Sequence, residues 1–276
     1  MNRLFWSTML ILTFIILGVT NGCNSKNTEG PNDMQVSQKM QQSSQQKELL
    51  VYCGAGLRKP MEEIAAMFQE ETGNIVQFSF GGSAQCISQI LTVNKGEVFL
   101  PGDKAELKEL IKKDKIDRQK PVVLHIPVLA IPAGNPAGIT GIKDLTKPGI
   151  KVALGDPKAN PIGKLADQML KDQGIYEQVA PNIVVRTATV NELFTYLALR
   201  QADAAVIWED NLLGNNKIDI VPAADFDRYI KIVPVVSLKC AANPQAANEF
   251  VEFVAGKKAM AVWKKRGFKP APEAVN

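Results

Sequence analysis

Histidine and cysteine are scarce in the 276-residue sequence, which has one histidine and four cysteines. His125 alone cannot form a metal-binding histidine pair, and no Cys/His cluster has the spacing of a structural zinc site. The sequence also lacks a P-loop and a nucleophile elbow. We therefore predict a protein that is not an enzyme, and that has neither a cofactor nor a resident metal ion.

Long runs of like charge are also missing. Lysine and arginine total 32 and aspartate and glutamate 28, so the net charge is only +4. Without a basic block or basic–aromatic alternation, we exclude nucleic acid as a partner. The hydrophobic content of 46% suffices for two lobes of roughly 100 residues each.

The N-terminus carries an export signal, because Arg3 precedes the apolar run Leu4–Val19 and a small residue precedes Cys23. The segment resembles a lipoprotein signal, although Thr20 stands where such signals usually have leucine. This resemblance implies that residues 1–22 are removed and that Cys23 is lipidated and anchors the chain to the membrane. An uncleaved signal anchor and ordinary cleavage nearby stay open, and each alternative places the folded part outside the cytoplasm.

The next segment, residues 23–46, is rich in Gln, Ser and Asn and has no apolar period. Such a segment buries too little apolar surface to offset its ordering entropy, so we predict a disordered tether behind the anchor. Three cysteines follow, Cys53, Cys86 and Cys240, and an odd number argues against a disulfide framework. We expect buried thiols, with a Cys53–Cys86 bridge as the alternative.

From residue 48 onward short apolar strands alternate with helices, which predicts an α/β fold. Two longer apolar runs, Val122–Pro132 and Ile230–Leu238, contain internal prolines that a central strand tolerates poorly. We interpret them as crossover strands that form the hinge of a two-lobed binding protein. Lobe one would comprise residues 47–126 and 235–276 and lobe two residues 127–234, with flexing near Pro127 and Pro234.

Four turns with small residues lead into predicted helices, two in each lobe. The first-turn N–H groups of a helix lack partners and carry partial positive charge, so each turn is a potential anion site. In lobe one we expect Ser83 to be an N-cap. In lobe two we expect free amides after an Asn160 cap and a capping box from Thr189 to Glu192. The residues singled out in these turns are Ala55, Gly56, Gly82, Ser83, Ile162, Gly163 and Val190.

The same turns resemble those of the periplasmic molybdate-binding proteins, which have the type II solute-binding fold. The segments that carry the resemblance are Leu50–Leu57, Phe80–Ser83, Val98–Asp103, Val152–Pro157 with Pro161 and Gly163, and Trp263–Phe268. It implies capture of a tetrahedral oxyanion, molybdate or tungstate, and delivery to the membrane subunits of an ABC importer. We also expect a monomer.

The resemblance further implies a set of ligand-binding residues. Ser83 matches one of two loop serines in that family, and Ile162 and Val190 match its backbone amide donors. Gly56 stands in place of the other serine and lacks its hydroxyl. Trp208 stands in place of a tyrosine and can only donate a hydrogen bond. These departures leave the ligand open.

Glu209 and Asp210 follow Trp208 directly and are interpreted as surface or interlobe charges. Alternatively one of them reaches the cleft, where a carboxylate would accept a hydrogen bond from a protonated anion such as hydrogen phosphate, or would ligate a metal oxyanion in expanded coordination. Sulfate and a sensing module without transport also stay open. A ferric site is disfavoured, because no two of the four tyrosines lie near the turns: Tyr52, Tyr176, Tyr196 and Tyr229.

Overall fold

A computed structural model describes residues 46–272, apart from the side chain of Ala224. The predicted signal peptide, the lipidation site Cys23 and all but the last residue of the predicted tether lie outside this range. Over residues 46–272, none of the helices combines the length and the apolar character needed to cross a membrane.

The described residues form eleven strands in two sheets. The strands are β1 Glu48–Gly54, β2 Ile75–Gly81, β3 Val98–Leu100, β4 Ile116–His125, β5 Pro127–Pro132, β6 Val152–Gly155, β7 Ile183–Thr187, β8 Ala204–Trp208, β9 Ile218–Val221, β10 Lys231–Leu238 and β11 Lys269–Pro270. The first sheet has the order β11-β4-β10-β3-β1-β2, and the second has the order β7-β6-β8-β5-β9. The predicted two-lobed α/β fold is confirmed.

Eight α-helices cover these sheets within the described range. They are α1 Arg58–Thr72, α2 Ser83–Val93, α3 Lys108–Lys112, α4 Pro161–Asp172, α5 Tyr176–Val179, α6 Val190–Ala198, α7 Pro244–Ala255 and α8 Lys257–Lys265. Single 3₁₀ turns lie at Ala55–Leu57, Lys104–Leu107, Ile142–Thr146, Ala180–Asn182, Glu209–Leu212 and Ala224–Tyr229.

Helix α1 shows how the pattern of the sequence produces the core. Its apolar residues recur at helical spacing, so Met61, Ile64 and Phe68 are all buried against lobe one. The helix ends at Gly73, which adopts a left-handed φ of 73° and donates its N–H to the carbonyl of Gln69. A glycine at this position ends the helix without the steric cost of a Cβ.

The first crossover lies between β4, which ends at His125 in the first sheet, and β5, which begins at Pro127 in the second. The second lies earlier than the predicted boundary after Pro234. Strand β10 pairs with β4 from Lys231 onward, so the chain has re-entered lobe one by that residue. Pro234 is inside the sheet, at a register shift, and Ile230 is the better candidate for the second hinge.

Candidate functional site

Lobe one brings three turns together at one edge of its sheet. Strands β1, β2 and β3 are parallel, and Gly54 pairs in register with Gly81 while Cys53 pairs with Leu100. Their carboxyl ends therefore share an edge, which is where ligands bind in open α/β sheets. Gly102 links the turns, because its N–H donates to the Ser83 hydroxyl oxygen at 3.2 Å.

Ser83 is not the N-cap that the sequence predicts. Gly82 occupies the cap position in extended conformation, and Ser83 is the first residue of α2. The Ser83 oxygen accepts from Gly102, which leaves the hydroxyl hydrogen available to an anion. Within residues 46–272, the Ser83 and Ala84 amides have no hydrogen-bond acceptor.

The other lobe-one residues singled out lie open to solvent. Ala55, Gly56 and Gly82 are exposed, and a methyl group built on either glycine would meet no atom within 4 Å. A cation lies nearby, since the Arg58 guanidinium stacks 3.8 Å from the Phe80 ring centroid, just before the Gly81–Gly82 turn. This edge of lobe one therefore combines accessible backbone with positive charge.

Lobe two has a matching edge. Strand β6 is parallel to β7 and β8, and Gly155 pairs with Thr187, so the turns into α4 and α6 lie side by side. The first turn of α4 packs closely on the end of β6. A methyl group built on Gly163 would lie 2.3 Å from the carbonyl carbon and oxygen of Gly155.

The start of α4 provides fewer free donors than the sequence predicts. Asn160 is at the cap position and Pro161 is the first helical residue, as predicted. The Gly163 amide is not free, because it donates to the Asn160 carbonyl at 2.9 Å. Within the described range the Ile162 amide has no acceptor, so it is the available donor of this turn.

Helix α6 begins with the predicted threonine cap. The Thr189 hydroxyl oxygen accepts from the Glu192 N–H at 3.3 Å. The Glu192 carboxylate returns to Ala188 rather than to Thr189, so the capping box is shifted by one residue. The Val190 amide has no acceptor among the described residues and is free to bind an anion.

Trp208, at the end of β8 in lobe two, lies at the boundary between the lobes. Its ring stacks on His125 at the end of β4, with ring centroids 3.9 Å apart. Asp210 Oδ1 lies 3.3 Å from His125 Nε2, and Glu209 accepts from Lys269 of β11 at 2.9 Å. Both carboxylates therefore contact lobe one, which agrees with the interlobe interpretation. Glu209 Oε2 is nevertheless buried without a hydrogen-bond partner in the described chain.

The cysteines of the described range are free thiols. Cys53 and Cys86 are both buried, and burial raises the pKa of each thiol. Protonated, enclosed thiols behave as small apolar groups, and the two residues are the buried thiols that we expect rather than a bridge.

Two surface cavities lie away from both edges. One of about 670 Å³ is lined by residues of α1 and α7 together with Arg118, and one of about 340 Å³ is lined by the end of α6 and the loop before β9. None of the residues predicted to bind the anion lines either cavity. Both cavities are open to solvent and lack the converging donors of the two edges.

Two α/β lobes joined by two crossings, each with turns at the carboxyl ends of its parallel strands, are the architecture of a solute-binding protein of the periplasmic type. Residues 49–269 match the family described as bacterial extracellular solute-binding protein, and the chain belongs to that family.

Individual relatives agree with this assignment. A Haemophilus influenzae protein described only as a binding protein is 32% identical over 230 residues, covering 83% of this chain and 94% of the relative. The molybdate-binding protein ModA of Rhodobacter capsulatus is 26% identical over 224 residues, covering 80% of this chain and 88% of its own. The solved periplasmic molybdate-binding protein of Azotobacter vinelandii superposes with a TM-score of 0.63 at 21% identity, covering 82% of this chain and all of that one.

Sequence reasoning missed two charged residues near these turns. Lys231 lies at the start of β10 and forms an ion pair of 3.2 Å with Asp103, next to the Gly102–Ser83 contact. Arg58 was passed over in the helix that follows the first turn. The signal for Arg58 was its position directly after Leu57, whereas nothing local in the sequence connects Lys231 to Asp103.

Proposed function

We propose that this protein captures a tetrahedral oxyanion, molybdate or tungstate, outside the cytoplasm and delivers it to an ABC importer. One observation carries the proposal: each lobe ends its parallel strands in turns that contain amides without an acceptor in residues 46–272, at Ser83 in lobe one and at Ile162 and Val190 in lobe two. The molybdate-binding relatives support the choice of ligand.

Binding would proceed by closure of the lobes about the two crossings. The Ser83 hydroxyl and the lobe-one amides would meet the anion first, and the lobe-two amides would complete the donor shell as water leaves. Fixed dipoles in a site without water stabilise charge strongly, because they need no reorganisation. Flexing at Ile126 and Ile230 would close the lobes without disturbing either sheet.

The chain's own donors favour a fully deprotonated anion. Amides, a hydroxyl hydrogen and the Trp208 indole N–H can all donate, whereas a protonated anion brings a hydrogen that needs an acceptor. Burying that O–H without a partner costs roughly 1–3 kcal/mol. Glu209 and Asp210 are the acceptors that would change this preference if either turned into the cleft.

Thermal unfolding of the full-length protein in mild detergent, with molybdate, tungstate, sulfate or phosphate added in turn, tests the ligand. A ligand at about a thousand times its Kd stabilises the folded state by about 4 kcal/mol, which raises Tm by roughly 8–16 °C. A shift with molybdate or tungstate alone supports the proposal. A shift with phosphate alone would place Glu209 or Asp210 in the site, and no shift with any of the four would contradict oxyanion binding.

We also propose that Cys23 is lipidated and tethers the protein to the membrane. The support is the apolar run Leu4–Val19, which is followed closely by Gly22-Cys23. Metabolic labelling with radioactive palmitate should label the wild-type protein and leave Cys23→Ala unlabelled. A variant in which Cys53, Cys86 and Cys240 are replaced should be labelled like the wild type. Equal labelling of wild type and Cys23→Ala would reject the anchor.

A further inference from the structure

The Asn160 side chain has an unsatisfied hydrogen-bonding group. The residue is only 3% exposed, and its Nδ2 is buried with no hydrogen-bond partner in residues 46–272. Although Asn160 occupies the cap position of α4, its side chain makes no capping hydrogen bond. The usual reason for an asparagine at a helix N-terminus therefore does not explain this one.

The amide lies where strand β6 meets the first turn of α4. A methyl group built on Gly155 would lie 2.9 Å from Asn160 Nδ2 and 2.9 Å from the Gly163 nitrogen. The free amide of Ile162 follows two residues later. Nδ2 is thus a second N–H source, beside the Ile162 amide, at a helix start that already carries partial positive charge.

Leaving a buried N–H₂ group unpaired is costly, and few native proteins retain one without a reason. No neighbouring group within residues 46–272 accepts from Nδ2, while the Gly155 carbonyl accepts from Arg186 and one Asp156 carboxylate oxygen accepts from the Lys158 N–H. An anion at the start of α4 would provide an acceptor. The terminal amide torsion of asparagine is broad, so a small rotation can direct Nδ2 toward that anion.

We propose that the Asn160 side-chain amide is a ligand-binding donor that determines specificity in lobe two. The inference rests on the proposed function and adds a second side chain, beside the Trp208 indole, to the backbone amides of lobe two. Its carboxamide adds donors without adding charge, so it favours a deprotonated oxyanion.

Two substitutions at this position separate ligand binding from a structural role. Asn160→Ala removes the donor, and loss of one hydrogen bond to a charged ligand should weaken binding roughly 10- to 100-fold. The ligand-free Tm should stay within about a degree of wild type or rise, because an unpaired buried group is removed. Asn160→Asp should abolish binding, because the new carboxylate repels the anion.

Asn182 is the matched control in the same lobe. Its side-chain amide is satisfied, donating to the carbonyls of Leu145 and Lys147 at 2.8 and 2.9 Å. Asn182→Ala should therefore lower the ligand-free Tm by several degrees and leave the Kd within twofold of wild type.

The measurements are the ligand-free Tm and the Kd for molybdate and tungstate by calorimetry, using full-length protein in detergent. The inference is supported if Asn160→Ala raises the Kd and leaves the Tm unchanged. Asn182→Ala should do the opposite, lowering the Tm and leaving the Kd unchanged. A Kd within twofold of wild type, or a fall in Tm like that of Asn182→Ala, overturns it and leaves the proposed function standing. If wild type binds none of molybdate, tungstate, sulfate and phosphate, the proposed function fails and this inference fails with it.

Discussion

The two candidate binding edges use glycine for different physical reasons. In lobe one, a methyl group on Gly56 or Gly82 would meet nothing within 4 Å. In lobe two, a methyl group on Gly163 would lie 2.3 Å from the Gly155 backbone. Packing thus does not require glycine at positions 56 and 82 of lobe one, whereas Gly163 of lobe two allows helix α4 to approach strand β6.

This difference separates a binding surface from the support beneath it. The lobe-one turns are exposed, so a small residue there leaves the backbone accessible to a ligand that approaches from solvent. Ile162 and Gly163 are buried, and their turn is already fixed before any ligand arrives. We infer that lobe two is the preorganised half of the site and that lobe one is the half that admits the anion.

The largest effect is expected for Gly163→Ala. Its new methyl group would overlap backbone atoms that cannot rotate away, so α4 must move from β6. We expect a loss of about 3 kcal/mol in the free energy of unfolding, at the upper end for overpacking, together with loss of binding. Urea unfolding measures the first and calorimetry the second. A loss under about 0.5 kcal/mol would show that lobe two is as tolerant as lobe one.

Ser83→Ala should affect affinity more than stability. The hydroxyl hydrogen is free for the anion, while the hydroxyl oxygen accepts only from Gly102. Losing a hydrogen bond to a charged ligand should raise the Kd roughly 10- to 100-fold, whereas losing the Gly102 contact should cost about 1 kcal/mol of stability. Ser79→Ala is the control, because within the described range the Ser79 hydroxyl bonds only to the Gln89 side chain of the same lobe. An unchanged Kd for Ser83→Ala would remove Ser83 from the site.

Much of the lobe organisation could be predicted because it follows from local patterns. Apolar spacing accounts for α1, and the two long apolar runs contain both crossings, although Pro127 lies at the first crossing and Pro234 lies beyond the second. The register of the second crossing was missed, since the pairing of Lys231 with His125 joins residues 106 positions apart. The Gly155–Gly163 approach and the unpaired Asn160 amide also depend on how a strand end meets a helix, which periodicity does not describe.

Acid should destabilise lobe two by protonating the side-chain carboxylate of Asp144, which lies in the 3₁₀ turn Ile142–Thr146. Lys147, followed by the backbone and hydroxyl of Thr140, holds the pKa of Asp144 well below its unfolded value of 3.8. The folded pKa is depressed, so this stability is present above pH 3.8 and is lost as the pH falls toward the folded pKa. Asp144→Asn should cost about 1 kcal/mol at pH 7 and progressively less below pH 3.8.

Lobe one offers the comparison for that experiment. Lys120 and then Arg118 lower the pKa of Glu252, but the Glu252 side chain is 43% exposed against 16% for Asp144. Because solvent screens exposed pairs, Glu252→Gln should show the same sign and a smaller loss. Urea unfolding at pH 7 and pH 3 measures both variants. A pH-independent loss in Asp144→Asn would show that the charge of Asp144 contributes nothing.

The smallest effect on stability is expected for Gly82→Ala, the lobe-one counterpart of Gly163→Ala. Gly82 has φ −67° and ψ 145°, which alanine adopts without strain, and its surroundings are empty. The reduced entropy of the unfolded chain and the weaker capping by alanine should offset each other to within about 0.5 kcal/mol. Binding should still weaken roughly 3- to 10-fold, because the methyl group would stand where the anion approaches the backbone. A stability loss above about 1 kcal/mol would mean that lobe one is also preorganised by packing. An unchanged Kd would show that the anion does not bind at this turn.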